Sequence, residues 1–176
     1  DGTDLLELDG RPALRVMQAV YETMTPKHKE LFQKSPMIGI GIEDHRGRVV
    51  DFLVRNIVKV HRASGMFSSP DPIRDHQTVQ FFVRDPEAVL VDLRTLLEAH
   101  VEGYGKPRGG LLFSCVGRSG TFYGRPNQDA EWGTQCLNIK TLGGIICDGE
   151  IAPIHERSLL HTYSSVFCLF RQRQWS

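Results

Sequence analysis

QFFVRDPEAVLVDLRTLLEAH, from Gln80 to His100, changes its period at Asp85-Pro86, and that change decides the fold class. Before it, Gln77 to Arg84, with TVQFFVR at its centre, is rich in aromatic and β-branched residues and predicts a strand. After it, Asp85 takes the N-cap position and Pro86 the first helical position. Glu87 falls in the first turn, where the macrodipole favours a carboxylate. Val89, Leu90, Leu93, Leu96 and Leu97 then form a helical stripe.

Upstream, ELDGRPALRVMQAVYETM begins with an Asp9-Gly10 turn and places Pro12 in the first helical turn. Ala13, Val16, Met17, Val20, Tyr21 and Met24 form one apolar face, and Thr25-Pro26 ends the helix. PMIGIGIE (Pro36 to Glu43), a turn at His45-Arg46-Gly47, and VVDFLVRNIVKV (Val49 to Val60) predict a β-hairpin. ASGMFSSPDPIRDH predicts an exposed loop.

Downstream, a glycine-rich link from Gly103 to Gly110 leads into LLFSCVGRSG, Leu111 to Gly120, an apolar strand with an abrupt end. A helix over Gln128 to Leu137, a short strand in LGGIICDGE, and one long strand LHTYSSVFCLF (Leu160 to Phe170) follow. The expected fold is α+β, a single domain with a largely antiparallel sheet covered by helices. The hairpin, the strand through Phe82 and the strands around Phe113 and Phe167 are expected in one sheet. The helices near Pro12 and Pro86 should cover one of its faces.

The 21 basic and 21 acidic residues cancel, so no global field attracts nucleic acid or an anionic membrane. No apolar run reaches the roughly 18 residues that span a bilayer, which excludes membrane insertion by a helix. Cys115, Cys136, Cys147 and Cys168 lack metal-finger spacing, and the histidines are scattered, so free thiols in a reducing compartment, first the cytoplasm, are expected, with no cofactor. The chain opens on Asp1 rather than Met, so a fragment or processed form is expected. The domain is taken as residues 1–174, and Trp175-Ser176 as a tag remnant.

The strand end at Cys115-Val116-Gly117-Arg118 has the look of a site, yet it fits no common loop. A cysteine-phosphatase loop has arginine six residues after its cysteine, where this chain has Thr121. A P-loop needs Gly-Lys-Ser/Thr after its glycines, and none follows.

LLFSCVGR, GGIICDGEIAP and LLHTYSS, in that order with a helix between the first two, resemble the C-terminal half of the FIST domain (F-box and intracellular signal transduction). DGRPAL, FLVRNI and QFFVRD extend the resemblance over roughly Leu6 to Phe170. The resemblance implies a sensory module for small ligands such as amino acids, or a domain that accompanies an F-box in ubiquitin-ligase adaptors. It also implies an N-terminal FIST half as a protein partner. Two positions depart from the family pattern: Ala152 replaces a glycine, and Ile145-Ile146-Cys147 replaces a phenylalanine-rich strand.

Within those motifs, Arg118 follows Gly117 and Glu150 follows Gly149, each at a strand end where glycine lets a ligand approach. An amino acid could place its carboxylate on Arg118 and its ammonium on Glu150; alternatively the two side chains pair and staple the sheet ends. Cys115 beside a cation, with His161 as base, has the ingredients of a nucleophile, against a plain packing role. His161 and Tyr163 alternate with Thr162 and should project to the same face, lining the same cavity; alternatively His161 is simply a hydrogen-bonded structural histidine. Three functions follow: a non-catalytic ligand-sensing or protein-recognition module, a substrate-recruitment domain of an F-box adaptor, and a cysteine-dependent hydrolase or transferase.

Overall fold

In the computed structural model, residues 2–155 and 157–172 are described, and they form an α+β fold in two compact units that meet in sequence at Asp85/Pro86. The proposed tag remnant lies outside the described residues.

The first unit opens with three two-residue strands, β1 (Asp4–Leu5), β2 (Glu7–Leu8) and β3 (Arg11–Pro12). Helices α1 (Ala13–Thr23) and α2 (Pro26–Lys34) follow. Pro12 caps α1 from just outside it rather than occupying its first turn. Thr25-Pro26 does end that helix, and at once starts another that periodicity did not reveal. Thr25 Oγ1 accepts from the His28 amide at 3.3 Å, and Pro26 sits where a missing N–H costs nothing. Thr25→Ala is therefore expected to destabilise this unit by about 1 kcal/mol. A urea titration showing no loss would mean the cap is idle.

The predicted hairpin is present as β4 (Met37–Glu43) and β5 (Val49–Asn56). Its turn is held by Asp44, whose Oδ1 accepts from the amides of Arg46 (2.8 Å) and Arg48 (3.0 Å). After β6 (Lys59–His61) and β7 (Met66–Ser68), β8 (Val79–Phe82) pairs antiparallel with the other edge of β4. Three sheets result, of order β5-β4-β8, β1-β7-β6 and the two-stranded β2-β3. Gly39 in β4 makes room for aromatic packing: a Cβ there would lie 2.4 Å from Phe82 Cε2. Leu5, Ala13, Ile38, Ile57 and Phe67 form the core.

The second unit begins with α3 (Pro86–Tyr104), matching the predicted Pro86 start. Strand β9 (Gly109–Cys115) ends in a 3₁₀ turn over Val116–Arg118, followed by α4 (Gly120–Tyr123) and α5 (Gln128–Leu137). β10 (Leu142–Cys147) returns parallel to β9, because the intervening helices supply the crossover that a parallel pair needs. β11 (Glu150–Ile154) and β12 (Arg157–His161) form a separate hairpin, and β13 (Ser165–Phe170) pairs antiparallel with β9.

The expectation of one shared sheet is corrected. Phe82 lies in the sheet β5-β4-β8, whereas Phe113 and Phe167 lie in the sheet β10-β9-β13. The long strand predicted over Leu160 to Phe170 is also broken. Tyr163 has φ +61°, a left-handed conformation that ends β12 before β13 begins.

One face of the sheet β10-β9-β13 is covered by helices. Leu142, Phe167 and Leu169 pack against Leu93 and Leu97 of α3 and Leu137 of α5. Helix α5 approaches closely at Gly133, where a Cβ would lie 2.6 Å from Phe167 Cε1.

Candidate functional site

Alternation along β9 and β13 sorts the motif residues between the two faces of this sheet. Ser114 is paired with Ser165 and shares the parity of Leu112, Phe167 and Leu169, so it points towards the helices. Cys115, the next residue, points the other way, together with its β10 register partner Cys147.

On the helix side, Asp129 in the first turn of α5 is the hub. Its Oδ2 accepts from Ser114 Oγ (2.8 Å), Ser165 Oγ (2.5 Å) and Arg118 Nε (2.8 Å). Its Oδ1 accepts from Arg118 Nη2 (2.8 Å) and Tyr123 Oη (2.7 Å). The carboxylate is 4% exposed and the guanidinium 9%. This is a bidentate, buried ion pair with its lone pairs satisfied, the geometry in which such a pair is strong.

Burial alone would raise the Asp129 carboxyl, but Arg118, then the hydroxyls of Ser165 and Tyr123, outweigh it and hold the group below the usual carboxylate range. Burial likewise disfavours the Arg118 cation, and Asp129 more than restores it. The Tyr123 phenol is pushed up, by burial first, with Arg118 opposing and Asp129 reinforcing the shift. These bonds tie the turn Val116–Arg118, which holds Gly117, to α5 and β13.

On the opposite side, Glu150 opens β11 and is 3% exposed. Its Oε2 accepts from Ser164 Oγ at 2.6 Å, while its Oε1 is buried with no hydrogen-bond partner among the described residues. The Cys147 thiol stands near this carboxylate, with its Sγ 3.9 Å from Ile145 O. Burial, then the negative charge of Glu150, then Cys115 push that thiol up. Cys115 is buried at 3% exposure, and its amide donates to Ser164 O at 3.0 Å.

His161 is the register partner of Glu150 across the β11–β12 hairpin. Its Nε2 lies 3.1 Å from Ala152 O, an acceptor, so the contact is a hydrogen bond in the tautomer that carries its proton on Nε2. Gly149 leaves β10 with φ +135°, and a Cβ there would meet Leu160 Cδ1 at 3.1 Å.

The structure thus brings Cys115, Cys147, Glu150, Ser164 and His161 to one end of β9, β10 and the β11–β12 hairpin. Arg118, expected to face Glu150, is instead held on the helix side of the sheet by Asp129. The two do not staple the sheet ends to one another. Tyr163, expected on the same strand face as His161, occupies the turn after it. Asp129 was missed: it is eleven positions beyond Arg118, a separation that no local spacing rule connects. Its only sequence signal is an acidic residue in the first turn of the helix predicted from Gln128.

Among the described residues, no group of three or more His, Cys, Asp or Glu is placed to hold a metal ion. No helix among them is long and apolar enough to cross a membrane.

Residues 13–153 match the family model of the FIST C domain. The chain is similar to the Mycobacterium tuberculosis (strain ATCC 25618 / H37Rv) "Uncharacterized protein Rv0628c", with 34% identity over 97% of this chain and 45% of that protein. It is also similar to the Mycobacterium bovis "Uncharacterized protein Mb0898c", with 31% identity over 97% of this chain and 45% of that protein. It therefore spans less than half the length of these relatives. No solved structure matches.

Proposed function

Because the chain belongs to the FIST C domain family, we propose that it is a non-catalytic small-ligand-sensing module and that Glu150 anchors the ligand. The observation that carries this is Glu150 Oε1. A buried carboxylate oxygen without a donor is costly, and native proteins leave few such atoms without a functional or solvent partner. The missing partner is a hydrogen-bond donor or a cation, and the ammonium of an amino-acid-like ligand supplies both.

The surroundings support that chemistry. Glu150 is the acidic residue of the GEI motif, and His161 and Ser164 are the polar groups beside it. A ligand carboxylate would not be received on Arg118, whose fork is taken by Asp129. Ligands with a strong donor group are thus favoured over those recognised chiefly as anions. Recognition of a protein partner, including a preceding FIST half or ubiquitin-ligase subunits, has separate support in the apolar outer face of the same sheet. Leu111, Ile145 and Phe170 share that face by register and are exposed.

Calorimetry with a panel of amino acids and simple primary amines tests the ligand role. At least one ammonium ligand should bind the wild-type chain, and Glu150→Gln should weaken it by about one to two orders of magnitude, the worth of a charge-assisted hydrogen bond of roughly 1.5–3 kcal/mol. Equal affinity in the variant, or no binding by any member of the panel, would remove the proposal.

A further inference from the structure

Two cysteines end adjacent strands at this site. Cys115 is the last residue of β9, Cys147 the last of β10, and the two are Cα register partners in a parallel pair. Partners in register project to the same face. Both thiols are free. Cys147 is partly accessible, whereas Cys115 is buried.

Neighbouring strands run about 4.8 Å apart. That spacing lies inside the Cα window of about 4.4–6.8 Å that a disulfide bridges. The Cβ atoms of a parallel pair stay near the strand spacing, while a disulfide wants about 3.5–4.5 Å, so closure needs a shift of under about 1 Å. Strand ends can give that much. Beyond Cys147 the chain bends through Asp148 and Gly149, and beyond Cys115 it enters the 3₁₀ turn. The other cysteines are poorly placed. Cys168 is on the same face but pairs with Leu111, four residues back along β9, or about 13 Å away. Cys136 lies in α5 among the residues packed on the second core.

We propose that Cys115 and Cys147 are a modification site, a dithiol that closes to a reversible intrachain disulfide by exchange with a small-molecule disulfide such as oxidised glutathione. Cys147, the accessible thiol, attacks first as its thiolate. The glutathione S–S bond breaks, a mixed disulfide forms on Cys147, and one glutathione thiolate leaves and takes up a proton. Cys115 then loses its proton and attacks Cys147 Sγ, releasing the second glutathione. Two cysteine thiols are oxidised and one glutathione disulfide is reduced to two thiols. Because burial, then Glu150 and Cys115, push the Cys147 thiol up, the first step should be slow at neutral pH and quicken as pH rises. The strain of the parallel pair should make the product easy to reduce again. None of this depends on a ligand at Glu150.

Non-reducing peptide mapping of the wild-type chain, after incubation with oxidised glutathione at pH 8, tests the pair. Arg118 and Lys140 separate the two cysteines on tryptic cleavage. The expected result is a Cys115–Cys147 linked peptide that reduced glutathione reverses. In Cys147→Ser, Cys115 should remain a thiol. Cys136→Ser/Cys168→Ser, which removes the competing thiols, should give the same link. Three results would each overturn the proposal: Cys147 stopping at the mixed disulfide while Cys115 stays alkylatable, Cys115 linked to Cys136 or Cys168, or no reaction of either thiol in the folded protein.

Discussion

Replacing Asp129 by alanine is expected to lower the unfolding free energy by about 3–5 kcal/mol, the usual cost of breaking a buried ion pair from one side. The loss is this large because the guanidinium of Arg118 stays behind, 9% exposed, with no charge to meet it. Ser114, Ser165 and Tyr123 lose their acceptor at the same time. Urea titration followed by circular dichroism measures it; a loss below about 1 kcal/mol would show that solvent replaces the carboxylate.

The same group gives stability a pH dependence of known sign. The folded carboxyl is held below its unfolded value, so its contribution is complete above about pH 4–5 and is lost as pH falls through the folded value. In Asp129→Asn that part of the acid slope should disappear.

Gly144→Ala is expected to be comparably severe for a different reason. A Cβ at Gly144 would lie 1.9 Å from the carbonyl oxygen of Leu112, its register partner in β9, and 2.8 Å from that carbonyl carbon. Both obstacles are backbone, so no side chain can rotate away, and the parallel pair itself must open. A cost of about 3 kcal/mol or more follows, with faster hydrogen exchange in β9 and β10. Gly143→Ala is the control: its Cβ would meet only Leu111 Cδ2 at 3.5 Å, an ordinary contact. A small effect at Gly144, or equal effects at both glycines, would contradict this account of the GGIICDGE segment.

Much of the fold was legible where local chemistry and packing agree. The Pro86 helix start, the helix over Gln128 to Leu137 and the hairpin around Gly47 all follow from caps, periodicity and turn residues. Helix α2 was not legible, because PKHKELFQK buries only Phe32 and shows no wide apolar stripe. The break at Tyr163 was hidden because tyrosine and threonine favour strands, and nothing in LHTYSS signals a positive φ. The division into separate sheets depends on which strands meet in space, which strand content does not encode.

For the site, the motifs mark two strand ends, and alternation decides what those ends can share. Ser114 and Cys115 are neighbours in sequence yet belong to opposite faces, and Arg118 and Glu150 have different partners, Asp129 and Ser164. Arg118 was read as a ligand fork because its partner, Asp129, comes from a helix that only the folded chain brings beneath β9. Glu150 stands out for the opposite reason: folding supplies Ser164 to one of its oxygens and leaves the other unserved.

The most direct measurement is a crystal structure of the chain with the tightest-binding amine from the panel. The account predicts the ligand nitrogen at about 2.7–3.0 Å from Glu150 Oε1, with the Arg118–Asp129 fork intact beneath the sheet. A ligand bound elsewhere, or an ammonium group held without Glu150 while Oε1 stays unpaired, would contradict it.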